Sequence, residues 1–553
     1  MANPSLQIGN SNWAIKEDDL LGYSTVGTNY LPKPMTMTRA SAGTRVNPQG
    51  LVETVELLGS EEVSCGNFEC ANPNGVWNRG TGWGISGGTA TYDGSGGTQP
   101  ISQSIANIQL GTFCKVTIDV LSNQGGGNNT IFLGGTVVQE SHLDVGSYTF
   151  YGSFTSNTNL YIYGRSGEVF EIDNISVKEV TRDGLARVDY TDGTSSLLVE
   201  PQRTNLIKYS SDFSNAIWTK SGSSVTLNAT TSPDGTINAD KLVEDTSTGG
   251  HQIQSITSSS NSTIYTTSVF VKYAGREWIR FTDAQSSNRI HFNTLTGVFG
   301  TVSGTVIDYN KTALENGWYK LSLTTTSVAT AYTPRIALAE ADNDVSYTGD
   351  GVSGVYIYGC SLEEGSYPTS LIPTSGGTVT RVQETYTKTG ISNLINSEEG
   401  VLFLEVSALA LTSTLEMLSL SDGTYNNVVL FRYYDTSSND IQVQVKVAGS
   451  TQASMLFTLT DATDFNKIAF KYKENDFALW VNGTEVATDT SGNTFTSGTL
   501  NKFSFDRGDG SNPLFSKVKQ LQVYNTALTD EQLLQLTGTS GTDFYESYAE
   551  MAS

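Results

Sequence analysis

The sequence predicts an all-β chain of tandem sandwich domains behind an extended N-terminal anchor, and three observations lead there. Apolar and polar side chains alternate over short runs, at Cys114, Val116, Ile118 and Val120, at Tyr265, Thr267, Val269, Val271 and Tyr273, and at Ile441, Val443, Val445 and Val447. That period of two belongs to strands with one face in a core and the other in water. Glycine is plentiful, at 55 of 553 residues, and only 16% of residues are charged, which suits short strands joined by polar turns. A chain of 553 residues also exceeds what one core can serve, so several domains are expected.

Residues 1–58 read as a separate anchoring region. An approximate repeat organises the middle of the chain. Phe68 and Trp77, then Gly82-Trp83-Gly84, are answered by Phe213 and Trp218, then Gly222; Ile172, Ser176, Val177 and Glu179 match Ile357, Ser361, Leu362 and Glu364 at constant offset. One module is therefore placed at 59–180 and a second at 205–370, with connectors at 181–204 and 371–390, a third domain at 391–540 and a tail at 541–553.

In the third domain, Ile468, Phe470 and Tyr472, then Phe477, Leu479 and Val481, then Asn482-Gly483 read as consecutive hairpins, because Asn-Gly favours a turn with two positive φ angles. Tyr433 and Tyr434 must face opposite sides of their strand. A helix is expected from Thr529, which stands three residues before Gln532 in capping-box spacing. A second candidate helix is Phe544 to Met551.

The formal charge of -24, without a block of Lys or Arg, argues against nucleic acid as a partner. It also repels anionic glycans unless divalent cations bridge the contact. No stretch approaches the roughly 18 apolar residues of a membrane span, and the start carries no basic, apolar leader. Synthesis in a cytoplasm without a signal is expected. Cys65, Cys70, Cys114 and Cys360 form no CxxC pair. Free buried thiols are the expectation, a Cys65–Cys70 bridge being sterically conceivable.

The segments TRASAGTRVNPQGLVETV (38–55), ARVDYTDGTSSLLVEPQRTNL (186–206) and SYPTSLIPTSGGTVTR (366–381) resemble signatures of bacteriophage tail-fibre and head-fibre proteins. The two repeats look like jelly-roll carbohydrate-binding modules, with a Phe and Trp near the start and a "DNISV" strand at the end. The last domain, with "KIAFKYKENDFALWVNG" and "VKQLQVYNTALTDEQLLQL", resembles the concanavalin A-like or laminin-G-like sandwich. This resemblance implies a virion protein that contacts glycans. It also implies a structural calcium held by Glu69 and Asp173 in the first module; Ser214 and Tyr358 replace both acids in the second. Two ordinary surface carboxylates remain the alternative.

Signals for catalysis are missing. None of His142, His251 and His291 sits in a recognisable motif. Gly84-Ile85-Ser86-Gly87-Gly88 has nucleophile-elbow spacing, but no helix comes after it. Glu398-Glu399, Glu363-Glu364 and Asp461/Asp464 lack the close acidic strand motif of sandwich-fold glucanases. Asp342-Asn343-Asp344 lacks the Gly and Glu of an EF-hand, Arg507-Gly508-Asp509 is read as a chance tripeptide, and Asn128-Asn129-Thr130 as a chance sequon.

Aromatic rings remain as the means of binding sugar C–H faces: Trp77, Trp83, Tyr92, Trp218 and Trp278 are the candidates. The expected function is a non-enzymatic phage adhesin on the virion surface. Residues 1–58 would dock to other virion proteins while the modules engage bacterial surface polysaccharide, as a homo-oligomer, a trimer by analogy with fibres. The alternatives are a capsid-decoration or tail protein that binds no sugar, and a polysaccharide depolymerase.

Overall fold

The computed structural model describes residues 3–9, 14–16, 19–23, 30–125, 127–182, 184–411, 414–435 and 439–538. The candidate helix at 544–551 lies outside them. The described chain is almost entirely antiparallel β-structure. Two compact units are resolved, Glu56–Arg182 and a larger one formed by Met1–Val55 with Asp183–Ser553.

The unit Glu56–Arg182 is a two-sheet sandwich. One sheet runs in the order Gly146–Ser153, Phe113–Gln124, Val169–Thr181, Thr89–Tyr92, Trp83–Ser86, with Leu57–Glu61 also pairing to Val169–Thr181. The other runs Thr136–Ser141, Asn129–Leu133, Asn159–Gly164, Gln99–Ser104, Asn78–Arg79. Alternate residues of both meet in the core, among them Val116, Ile118, Ile131, Ile162 and Ile172, each exposed by 1% or less.

The larger unit holds a second sandwich of two six-stranded sheets. Its first is ordered Trp218–Ser221, Gln252–Ser255, Pro334–Ala339, Trp278–Asp283, Arg289–Asn293, Val298–Ser303. In its second sheet Gly354–Glu364 lies beside Ile264–Ala274. This reproduces the repeat: Val120 faces Ile172 and Val116 faces Val177 in the first sandwich, while Val271 faces Ile357 and Thr267 faces Leu362 in the second.

The remainder is a large sheet assembly whose core includes Leu404, Phe470, Leu479 and Leu521. Asn466–Lys473, Phe477–Val481 and Thr484–Asp489 form the expected hairpins, and Asn482 and Gly483 both have positive φ (48° and 82°). Tyr433 is buried and Tyr434 exposed. The helix Asp530–Thr537 starts from a capping box of Thr529 and Gln532.

Residues 1–58 are not a separate region. Leu6–Gly9 pairs with Ser516–Tyr524, setting Leu6 against Val523 and Ile8 against Leu521. Tyr30–Thr38 pairs with Thr385–Thr389. Leu6, Ile8, Met35 and Met37 are buried in the core of the third domain, so the driving force is burial of apolar side chains that a free anchor would leave in water.

Nor are the connectors plain linkers. Ser196–Val199 pairs with Ser516–Tyr524, and Arg203–Asn205 pairs with Val379–Arg381. The three segments that resemble fibre signatures meet in a buried ion network. Arg187 bridges Glu384 (2.7 Å) and Glu200 (2.6 Å), Arg381 reaches Glu200 at 2.9 Å, and Arg39 also contacts Glu384.

Cys65 and Cys70 are disulfide-bonded, against the expectation of free thiols. Cys65 and Phe68 adopt positive φ, and the resulting tight turn brings the two Cα atoms to 5.6 Å, inside the range a bridge requires. Cys114 and Cys360 are free and buried, and burial pushes both thiols up to about 12.

Candidate functional site

Four of the five aromatic candidates belong to the cores. Trp77 and Trp218 are each 2% exposed, Trp83 is 6% and Tyr92 is fully buried. Phe68 packs on Trp77 at 5.3 Å between centroids and Phe213 on Trp218 at 4.8 Å, both tilted near 45°. Their indole N–H groups donate inward, Trp77 to the Cys65 carbonyl at 3.0 Å, Trp218 to the Tyr209 carbonyl at 2.9 Å, and Trp83 to the Gln99 carbonyl at 2.8 Å. The Tyr92 hydroxyl donates to the Gly97 carbonyl. A ring packed on both faces, with its polar atom already bonded, has no surface for a sugar. Trp278 alone is partly exposed.

A different aromatic group stands on the open side of the five-stranded sheet in the unit Glu56–Arg182. Ile162 points into the core, so Tyr161 and Tyr163 on the same strand point out. Phe132 lies opposite Tyr161 on the neighbouring strand and Thr130 opposite Tyr163. All three rings are half-buried; Phe132 and Tyr163 meet edge to face at 5.4 Å, and Tyr161 lies 6.3 Å from Tyr163. Arg165, next outward on that strand, donates to the Asn128 carbonyl at 2.7 Å and to the Thr130 hydroxyl. Asn159 reaches the Tyr161 hydroxyl at 2.9 Å. The result is an aromatic shelf bordered by amide, guanidinium and hydroxyl groups, suited to a sugar ring. Its signal in the sequence is the run Tyr161-Ile162-Tyr163, where two rings share the face opposite a core isoleucine.

Glu69 and Asp173 are brought into electrostatic reach of each other. Burial first, then the neighbouring Asp119, Glu69 and Glu171, raise the Asp173 carboxyl. Its Oδ1 accepts the Asn174 N–H at 2.7 Å, and Glu69 accepts from Asn67 at 3.0 Å. Two hard oxygen donors are in place, but among the described residues no three His, Cys, Asp or Glu side chains converge as a ligand set.

In the third domain an open groove of about 570 Å³ is lined by Glu398, Glu399, Lys473 and Asn493 among others. Glu399 is held by Lys473 at 2.9 Å, so it is engaged as an ion pair. No described helix is long and apolar enough to cross a membrane.

Residues 409–534 match the laminin-G type 3 model of the concanavalin A-like lectin/glucanases superfamily. A concanavalin A-like domain is present. This concanavalin A-like domain is the part of the larger unit completed by Leu6–Gly9 and Tyr30–Thr38. Among curated proteins none matches the chain. Among solved structures, the CBM40 of the Ruminococcus gnavus IT-sialidase bound to alpha2,3 sialyllactose is similar at 20% identity, covering 26% of this chain and 83% of that one with a TM-score of 0.23. The same CBM40 bound to alpha2,6 sialyllactose shows 18% identity over 27% and 92%, with a TM-score of 0.24. The GH43 protein BlXynB of Bacillus licheniformis shows 10% identity over 96% and 100%, with a TM-score of 0.18.

Proposed function

We propose that the protein is a non-enzymatic adhesin of a bacteriophage particle that attaches to surface polysaccharide through its β-sandwich modules. The observation that carries the glycan reading is the shelf of Phe132, Tyr161 and Tyr163, three half-buried rings on an open sheet face with polar groups at their border. The concanavalin A-like domain supports it. The phage reading rests on the resemblance of segments 38–55, 186–206 and 366–381 to fibre signatures, and the Cys65–Cys70 bridge suits a protein displayed outside a reducing cytoplasm. Several copies on one particle, as in a homotrimer, would turn weak sugar contacts into firm attachment.

The test replaces both rings, Tyr161→Ala with Tyr163→Ala. Stacking energies of about 1–2 kcal/mol for the pair correspond to roughly ten-fold weaker adsorption to host cells. Full adsorption by a folded double variant would refute the shelf. Incubation with host polysaccharide is expected to release no new reducing ends. Calcium is proposed to join Glu69 and Asp173, so a chelator should lower the melting temperature of the unit Glu56–Arg182.

A further inference from the structure

The second sandwich carries a cationic face in a protein whose net charge is -24. Ile279, Phe281, Ile290, Phe292, Ile336 and Leu338 fill the core. The residues alternating with them, Trp278, Arg280, Arg289, His291 and Arg335, therefore share the opposite side of the sheet. The register places Arg280 between His291 and Ala337, and Thr282 between Arg289 and Arg335. The three guanidinium groups crowd one another: burial first, then Arg289 and Arg335, lower the Arg280 pKa.

These charges are not taken up in ion pairs. None of Arg280, Arg289 and Arg335 forms an ion pair among the described residues, whereas Arg39, Arg45, Arg182, Arg187, Arg276, Arg381 and Arg507 all do. The Nε atoms of Arg280 and Arg289 are buried without a hydrogen-bond partner, while Arg335 Nε donates to Gln254 at 2.7 Å. Two carboxylates border the face: Asp342, whose Oδ1 lies 4.0 Å from His291 Nδ1, and Asp283, which acts electrostatically on Arg335, and both spend their hydrogen bonds on other donors. Asp342 accepts from the Thr301 N–H and hydroxyl, and Asp283 from the Thr333 and Gln285 N–H groups.

His291 supplies an independent sign. Its side chain is fully buried, and its Nδ1 lies 2.9 Å from the Thr301 carbonyl, which can only accept. Nδ1 therefore carries the proton, and Nε2 is left as a buried acceptor with no partner. Buried polar atoms are normally satisfied, so donors and an acceptor left open side by side mark a place for a ligand. Ala337 and Ala339 lie on this face opposite Arg280 and Trp278 and are buried. Trp278 lies against the bare backbone of Gly300, where an added Cβ would fall 2.6 Å from the ring.

We infer that this face binds the carboxylate-bearing sugar of an acidic glycan. The carboxylate takes the guanidinium donors of Arg280 and Arg289, the Trp278 ring packs on the sugar, and His291 Nε2 accepts from a neighbouring hydroxyl. The inference rests on the glycan-binding reading above and names its substrate class. It also reverses the expectation that the protein's negative charge repels such glycans, because the local field at this face is positive.

The experiment is calorimetric titration of the full chain with trigalacturonate, a hyaluronan tetrasaccharide and 3′-sialyllactose as carboxylated probes, a sulfated carrageenan oligosaccharide, and cellotriose as the neutral control. At least one carboxylated probe is expected to bind, to weaken severalfold between about 50 and about 300 mM NaCl, and to weaken at least about ten-fold in Arg280→Gln with Arg289→Gln. The double variant relieves like-charge repulsion, so its melting temperature should be unchanged or higher; Arg280→Lys keeps the charge and should lose less affinity. Binding of carboxylated probes unaffected by the double variant, binding of the sulfated probe alone, or no carboxylated binding each overturns the inference. If cellotriose or host polysaccharide still binds through Tyr161 and Tyr163, the adhesin reading survives; if no glycan of any kind binds, that reading falls too.

Discussion

Glu384→Gln is the most searching perturbation of the larger unit. Glu384 Oε1 accepts from Arg39 and, at 2.7 Å, from Arg187 Nε; Oε2 accepts from Arg187 at 2.7 Å and from the Glu200 N–H at 3.1 Å. Glu200 in turn holds Arg187, Arg381 and Ser370. All five charged side chains are at most 4% exposed. Three guanidinium groups thus form ion pairs with two carboxylates, and removing the charge of Glu384 takes from Arg39 and Arg187 the anion they share. Breaking such a buried pair from one side costs about 3–5 kcal/mol, and the loss of that anion by two guanidinium groups at once places the expected loss toward the top of that range. Urea unfolding should show the transition of the larger unit moving to lower denaturant while that of Glu56–Arg182 stays in place. A loss below about 1 kcal/mol would refute the reasoning, since it would mean that water or relaxation already screens the network. The same network makes stability depend on pH. Burial pushes both carboxyls up, but Arg381 and Arg187 beside Glu200, and Arg187 and Arg39 beside Glu384, bring each below the usual range. The stabilisation is therefore complete above about pH 4.5, the unfolded value, and is lost as pH falls through the lower folded values. Glu384→Gln should remove part of that acid sensitivity.

Glu416 behaves in the opposite sense. Burial raises its carboxyl to about 8, so the folded chain keeps a proton that the unfolded chain releases near pH 4.5. Stability should fall by up to about 1.4 kcal/mol per pH unit between those values, and Glu416→Gln should remove that slope in thermal melts taken from pH 5 to 8. Ile8→Ala should destabilise the larger unit by about 2–4 kcal/mol, because Ile8 is buried against the strand bearing Leu521; an unchanged urea midpoint would argue that Leu6–Gly9 does not complete this core.

Local patterns were legible wherever one face of an element meets one core. The alternations, the Asn482-Gly483 turn, the Thr529 cap and the division between Tyr433 and Tyr434 each depend on a few neighbouring residues. The alternation of Met35 and Met37 with Thr36 and Thr38 was equally readable, but not its partner, because Thr36 pairs with Thr387 across a gap that composition does not record. The aromatic candidates failed for a related reason. A tryptophan offers the same ring to a sugar or to a core, and only the carbonyls waiting for Trp77, Trp83 and Trp218 decide between them. The cationic face is not legible along the chain, because Arg280, Arg289 and Arg335 lie on three strands and stand far apart in sequence. The Cys65–Cys70 bridge depends on left-handed backbone at Cys65 and Phe68, which neither residue type advertises.

Pairing Leu6–Gly9 with Ser516–Tyr524 sets the timing of assembly on the ribosome. The unit Glu56–Arg182 has all its strands once Arg182 has emerged. The early strand must wait for one made more than five hundred residues later, roughly half a minute to two minutes at about 5–20 residues per second. Throughout that interval Leu6–Gly9 has, among the described residues, an early neighbour only where Gln7 meets Tyr23, and the edge that will receive Ser516–Tyr524 stays open, which makes nascent chains, more than finished ones, the species most prone to stick to each other and most in need of a chaperone.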